Sequence, residues 1–152
     1  MARNEKDDKE LTASPETLNE IACRYGLAEV YAFGSRAKEA AARLRGEKAH
    51  ADYPKSDIDI GVRMKPGLTL GPSDRVKVAL EFEDLLDVHR IDLVILEEVE
   101  PFLAVEIIRG ELLYARDPDE QARYELYLLR RAGDLLPFKK ERIRMIIEEG
   151  AR

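Results

Sequence analysis

The chain predicts an α/β (α+β) fold, a small mixed sheet flanked by helices with further helices at its C-terminal end. Three observations carry that expectation. Short apolar runs of strand length, Val30 to Phe33, Ile58 to Val62 and Ile91 to Leu96, alternate with stretches of helical period. Glycine and proline punctuate the borders, at Gly26, Gly46, Pro101, Gly110 and Pro118. With 152 residues and 45% apolar content, the chain has enough material for one core.

Taken in order, residues 1–12 are charged and lack an apolar period, which predicts a disordered leader. Ser14 and Pro15 read as an N-cap and first helical position, Leu18, Ile21, Ala22 and Tyr25 repeat at helical spacing, and Gly26 is the stop. Cys23 on this helix reads as a small core residue. Glu29 to Phe33 is a strand, and Gly34-Ser35 turns it into a helix over Arg36 to Arg45 that Gly46 ends. Glu47 to Lys55, with His50, Asp52 and Pro54 and no period, is a surface loop into the strand Asp57 to Val62.

A second irregular stretch holds Pro66, Gly67, Gly71 and Pro72. Ser73 then caps a helix through Asp87, with Val76, Ala79, Leu80, Glu83 and Asp87 spread over its faces and Leu85-Leu86 closing the apolar stripe. The strand holding Asp92 follows. Pro101 opens an apolar helix with Phe102, Leu103, Val105, Ile107 and Ile108, ended by Gly110, and Leu112 to Tyr114 is extended. Asp117-Pro118 starts a long helix whose Tyr124, Leu128, Arg131 and Leu135 lie near one face. Pro137 breaks or kinks it, leaving Phe138 to Glu149 as a last helix with Ile143, Ile146 and Ile147 inward. The organisation is a leader at 1–12, a domain at 13–116 and a C-terminal helical extension at 117–152 packed on that domain.

Charge narrows the function. The formal net charge of −6 argues against holding nucleic acid by bulk electrostatics. The charged start has no apolar targeting core, and the run ending at Leu96 meets Glu97-Glu98 at once, so no membrane span is expected. The lone cysteine excludes a disulfide framework and fits a reducing compartment, giving a cytoplasmic assignment. His50 and His89 lack a zinc-ligand pattern, and Tyr124, Tyr127 and Phe138 read as core or partner-facing rather than as nucleobase platforms. The basic run at Lys139 to Arg144 reads as a solvated helix face.

The chemistry lies in acids. On a strand, Asp57 and Asp59 share one face while Ile58 and Ile60 take the other. Asp92 is a lone charge inside an apolar strand, a costly placement without a partner or a metal. If the two strands are neighbours, all three carboxylates converge, a hard-cation site suited to Mg²⁺. The turn at Gly34-Ser35 opens a helix, where unpaired backbone N–H groups and the positive end of the dipole suit a polyphosphate; Ser35 adds a hydroxyl, and Arg36 lies beside a phosphate or in solvent.

Gly34-Ser35, the block Ser56-Asp57-Ile58-Asp59 and the distal Ile91-Asp92-Leu93-Val94 resemble the signature of the polymerase-beta-type nucleotidyltransferases, specifically the minimal nucleotidyltransferases found as antitoxins beside HEPN-domain toxins. The resemblance runs from about Ile21 to Tyr114, and the tail from Ala122 to Arg142 looks like the helical end of antitoxin members. One departure is the spacing from Ser35 to Asp57, longer than the family's, which places an insertion within Ala41 to Lys55. The resemblance implies a nucleotidyltransferase-like fold and transfer of AMP from ATP to a hydroxyl, most economically a tyrosine of a cognate HEPN-type ribonuclease toxin. It implies two Mg²⁺ ions on Asp57, Asp59 and Asp92 as metal ligands and catalytic acids, with Gly34, Ser35, Arg36 and Ser56 toward the nucleotide. Alternatives are an antitoxin that only binds and occludes its partner, or a transferase acting on a small molecule or an RNA end.

Overall fold

The computed structural model describes residues 15–47 and 56–150. The leader at 1–12, the Ser14 cap, His50 and most of the predicted loop lie outside the described residues. Helix α1 (Pro15–Tyr25) leads into β1 (Leu27–Phe33), then α2 (Ala37–Leu44), β2 (Ile58–Met64), α3 (Pro72–Leu86), β3 (Ile91–Ile95), α4 (Pro101–Ile108), β4 (Glu111–Ala115) and α5 (Pro118–Gly150). The sheet order is β3-β2-β1-β4. β1 runs antiparallel to both β2 and β4, whereas β2 and β3 are parallel because α3 carries the chain back across the sheet. The sheet is therefore mixed, as the sequence predicts.

Strand alternation divides the molecule into two apolar layers. Ile58, Ile60, Val62 and Met64 of β2 join Leu18, Ile21 and Ala22 of α1, Ala40 and Leu44 of α2, and Val78, Phe82, Leu85 and Leu86 of α3. The opposite face packs Tyr31 of β1 against Ala104, Val105 and Ile107 of α4 and Leu128 and Ala132 of α5. Asp59, Gly61 and Arg63 alternate onto this second face. There Ile107 crosses so near Gly61 that a Cβ on the glycine would lie 2.5 Å from Ile107 Cγ2.

Four local expectations are corrected. α3 is capped at Gly71 with Pro72 at its first turn, not at Ser73, because Gly71 holds the extended φ of −70° and ψ of 165° that the cap requires. Its core stripe is Val78, Phe82, Leu85 and Leu86, while Val76 and Leu80 are exposed; the positions three and four apart that include Phe82 take the sheet-facing side. Cys23 is exposed, since the neighbours Ile21 and Ala22 already fill the inward arc of α1. α5 continues unbroken through Pro137. Proline removes one backbone donor there, but residues 133–150 are all exposed, so the carbonyl that is freed is open to solvent rather than buried unpaired. Ile143, Ile146 and Ile147 consequently face solvent rather than a core.

A buried ion pair ties α5 to the sheet. Arg63 on β2 donates through Nε to both Glu29 oxygens, at 2.9 and 2.8 Å, and its Nη2 lies 3.2 Å from Glu120 Oε1. The guanidinium also stands 4.5 Å from the centre of the Tyr124 ring. Even with this partner, burial holds the Glu29 carboxyl above the usual carboxylate range. Beside it, Tyr31 Oη donates to Glu125 Oε1 at 2.9 Å.

Candidate nucleotidyl-transfer site

β1 ends at Phe33 and hands the chain to Gly34, whose φ of +76° is the left-handed conformation that glycine adopts without a Cβ penalty. Gly34 and Ser35 are exposed. Ala37 N–H closes the turn on the Gly34 carbonyl at 3.3 Å, and the start of the helix α2 that follows has no side-chain cap. In the antiparallel register Phe33 pairs with Asp59, so the turn arrives directly over the first acid-bearing strand. A Cβ on Gly34 would sit 2.5 Å from Asp59 Oδ2.

The second acid is the in-register neighbour of the first: Asp59 pairs with Asp92 across the parallel ladder, with Ile58 beside Ile91. Neighbouring strands stand about 4.8 Å apart, so both carboxylates share one sheet face at one strand end. Asp57 lies one position ahead of β2 rather than within it, because pairing begins at Ile58, whose N–H donates to the Arg90 carbonyl at 3.2 Å. Its Oδ2 is 3.4 Å from Arg90 Nε. The structure thus brings Gly34, Asp57, Asp59 and Asp92 to one edge of the sheet. Burial first, then the charges of Asp92 and Asp57, hold the Asp59 carboxyl above its ordinary range.

Arg36 is not beside that opening. It is buried, donating from Nε and Nη2 to the two Glu39 oxygens at 3.0 and 2.6 Å and from Nη1 to the Ser56 carbonyl at 2.6 Å. Ser56 itself is exposed immediately before Asp57. Glu39 went unread in the sequence; its spacing of three from Arg36 and four to Arg43 was the available signal. Arg36 first, then Arg43, pull the Glu39 carboxyl below the usual range against the effect of burial.

The donors here are all oxygen, the set a hard divalent cation takes. As the side chains stand, no group of three or more histidine, cysteine, aspartate or glutamate residues among the described residues is placed to hold a metal ion, so the convergence of Asp57, Asp59 and Asp92 expected from the sequence is not closed into a triad. An open carboxylate edge fits Mg²⁺, which is held through one or two carboxylates with substrate phosphates completing its shell, and the missing Cβ at Gly34 leaves Asp59 room.

The family model described as Polymerase beta, Nucleotidyltransferase matches residues 16–119, and the chain belongs to that family. No curated protein matches it. Among solved structures it is similar to a mutant of the toxin–antitoxin MntA–HpeT, with a TM-score of 0.65 at 18% identity, covering 88% of this chain and 98% of that one. A toxin–antitoxin structure with AMP-PNP gives a TM-score of 0.62 at 18% identity, with coverage of 88% and 98%. The tri-AMPylated HEPN toxin of Shewanella oneidensis in complex with MNT antitoxin gives 0.61 at 18% identity, with coverage of 88% and 95%. The nucleotidyltransferase fold expected from the sequence is thereby shown. No described helix is long and apolar enough to cross a membrane.

Proposed function

We propose that the chain is a Mg²⁺-dependent transferase that moves AMP from ATP to a hydroxyl, most economically a tyrosine of a cognate HEPN-type ribonuclease toxin, and so acts as an antitoxin. The observation that carries this reading is the Asp59–Asp92 register beneath Gly34, three functional positions at one strand end. Support for the partner comes from the toxin–antitoxin complexes that share the fold. The distal part of α5 also exposes Phe138, Ile143, Met145, Ile146 and Ile147, an apolar surface suited to work in a complex.

In this mechanism the triphosphate lies along the turn, where Gly34 allows close approach and Ser35 offers its hydroxyl beside the open start of α2. Asp57, Asp59 and Asp92 would hold the cations. Bound there, divalent cations would supply charge to neutralise the phosphates and would lower the pKa of the attacking hydroxyl. Ser56 sits at the same edge, while Arg36 acts from beneath through the Ser56 carbonyl rather than on a phosphate. The acceptor oxygen forms a bond to the α-phosphorus, the bond from that phosphorus to the bridging oxygen breaks, and pyrophosphate leaves. In this reading Asp92, which is exposed at the strand end, takes the hydroxyl proton. Positioning and charge supply most of the rate.

Intact mass spectrometry of a HEPN-domain partner incubated with the chain, ATP and Mg²⁺ tests the proposal. An added AMP on the partner, absent with Asp59→Asn, supports it. A partner bound and inhibited without added mass overturns transfer in favour of occlusion.

A further inference from the structure

Beneath the turn lies a charged cluster that stability alone explains poorly. Glu39 is 8% exposed on α2 and accepts from two arginines: the fork of Arg36, described above, and Arg43 Nε at 2.8 Å. Replacing a buried ion pair by apolar side chains is often neutral or stabilising, so the pair is weak evidence of a stability role. A planar guanidinium held bidentately does fix direction.

The ends of this cluster reach three chain segments. Arg36 follows Ser35 directly, and its Nη1 grips the Ser56 carbonyl, the residue before Asp57. Arg43 Nη1 reaches the Leu86 and Asp87 carbonyls, at 3.3 and 3.2 Å. Asp87 adopts φ of 53° at the end of α3, where the chain turns toward β3 and Asp92. One carboxylate is therefore the common anchor of the nucleotide turn, the entry to β2 and the approach to β3. The Ser56 contact bears most weight, because Asp57 lies ahead of the β2 ladder and strand pairing does not set its place.

Resting on the transferase reading above, we propose that Glu39, with Arg36 and Arg43, is a positioning hub that sets the spacing between the Gly34-Ser35 turn and the carboxylates of Asp57, Asp59 and Asp92. None of the three touches substrate. They act through backbone carbonyls, by holding three loop ends in one frame. Lysine at position 36 keeps the charge and loses the fork, so it separates geometry from electrostatics.

The test is Mn²⁺ binding to the full chain, followed by electron paramagnetic resonance, for wild type, Arg36→Lys, Glu39→Gln and the control Asp59→Asn, with circular dichroism of each. The expected result is binding by wild type, loss in Asp59→Asn, and affinity about tenfold weaker or more in Arg36→Lys and Glu39→Gln at unchanged helicity. Should Glu39→Gln fail to fold, Arg36→Lys carries the test, and Arg43→Lys, at a position 26% exposed, repeats it with a smaller loss. Wild type binding, Asp59→Asn not, and Arg36→Lys binding as tightly as wild type overturns the hub alone. Wild type and Asp59→Asn binding alike overturns the metal reading, and the hub with it.

Discussion

Asp59 Oδ2 occupies the space into which a side chain on Gly34 would grow, 2.5 Å from the position of its Cβ. The turn and the acid are thus fitted to each other, and Gly34→Ala disturbs both. A non-glycine residue at φ of +76° costs about 1–3 kcal/mol, and the new methyl drives the carboxylate aside. The expected outcome is a lowered melting temperature together with lost transfer. Gly46, with a similar φ of +74° and nothing within 4 Å of its Cβ position, is the control. Gly46→Ala should lower stability and keep transfer.

Asp59→Asn should reduce transfer about a hundredfold or more while leaving stability at neutral pH level or raised. Its folded-state pKa lies above the ordinary value through burial and the Asp92 and Asp57 charges. Between the unfolded and folded values the native state binds the extra proton, so wild-type stability falls as pH rises through that window. The variant removes this loss. Thermal melts from acid to neutral pH should show the advantage of Asp59→Asn appear as pH rises; an advantage confined to acid pH contradicts the assignment.

ATP binding should depend on a divalent cation, since the charges clustered at the nucleotide edge are acids and Arg90 is the cation paired among them. Calorimetric titration with Mg²⁺ should give binding that EDTA abolishes. Equal affinity in both conditions removes the carboxylate clamp from the mechanism.

Gly61 and Ile107 offer a purely structural check on how α4 covers the sheet. Gly61→Ala places a methyl 2.5 Å from Ile107 Cγ2 in a packed layer, an overpacking that costs about 1–3 kcal/mol. Ile107→Ala opens a cavity on the same spot, at about 2–5 kcal/mol. The double variant should be more stable than the two losses added together, because each change relieves the other. Chemical denaturation of the four proteins measures that coupling.

The sequence disclosed the elements whose causes are local. Alternation of Asp59 with Ile58 and Ile60, proline at helix starts and glycine at stops led to the order of strands and helices as far as Pro118, whereas the pairing of Asp59 with Asp92 depended on whether the two acid-bearing strands are neighbours, which the sequence left as a condition and the parallel ladder meets. Features decided by tertiary contact stayed hidden. Arg36 turns inward because Glu39 and the Ser56 carbonyl wait there, and no local rule distinguishes that from an outward arginine at a helix start. Glu29 is buried in β1 because Arg63, 34 positions later, stands across the ladder. Pro137 misleads for a similar reason: its penalty is mild where the helix is bathed by solvent.

The last prediction concerns the partner. With a HEPN-domain partner, ATP and Mg²⁺, wild type should add AMP to the partner, and Asp57→Asn and Asp59→Asn should bind it as tightly while adding none. Binding should survive because the acids sit at the edge formed by the β2 and β3 starts, whereas the exposed apolar side chains Phe138, Ile143 and Ile147 lie on the distal part of α5. Substituting Ile143 and Ile147 by serine should act in the opposite sense, weakening capture of the partner and leaving Mg²⁺-dependent ATP binding intact. Intact mass spectrometry, co-purification and calorimetry read the three quantities separately. If Asp57→Asn and Asp59→Asn still modify the partner at the wild-type rate, the acids are not the catalytic groups; if the serine variant binds the partner unchanged, the distal helix is not its docking surface.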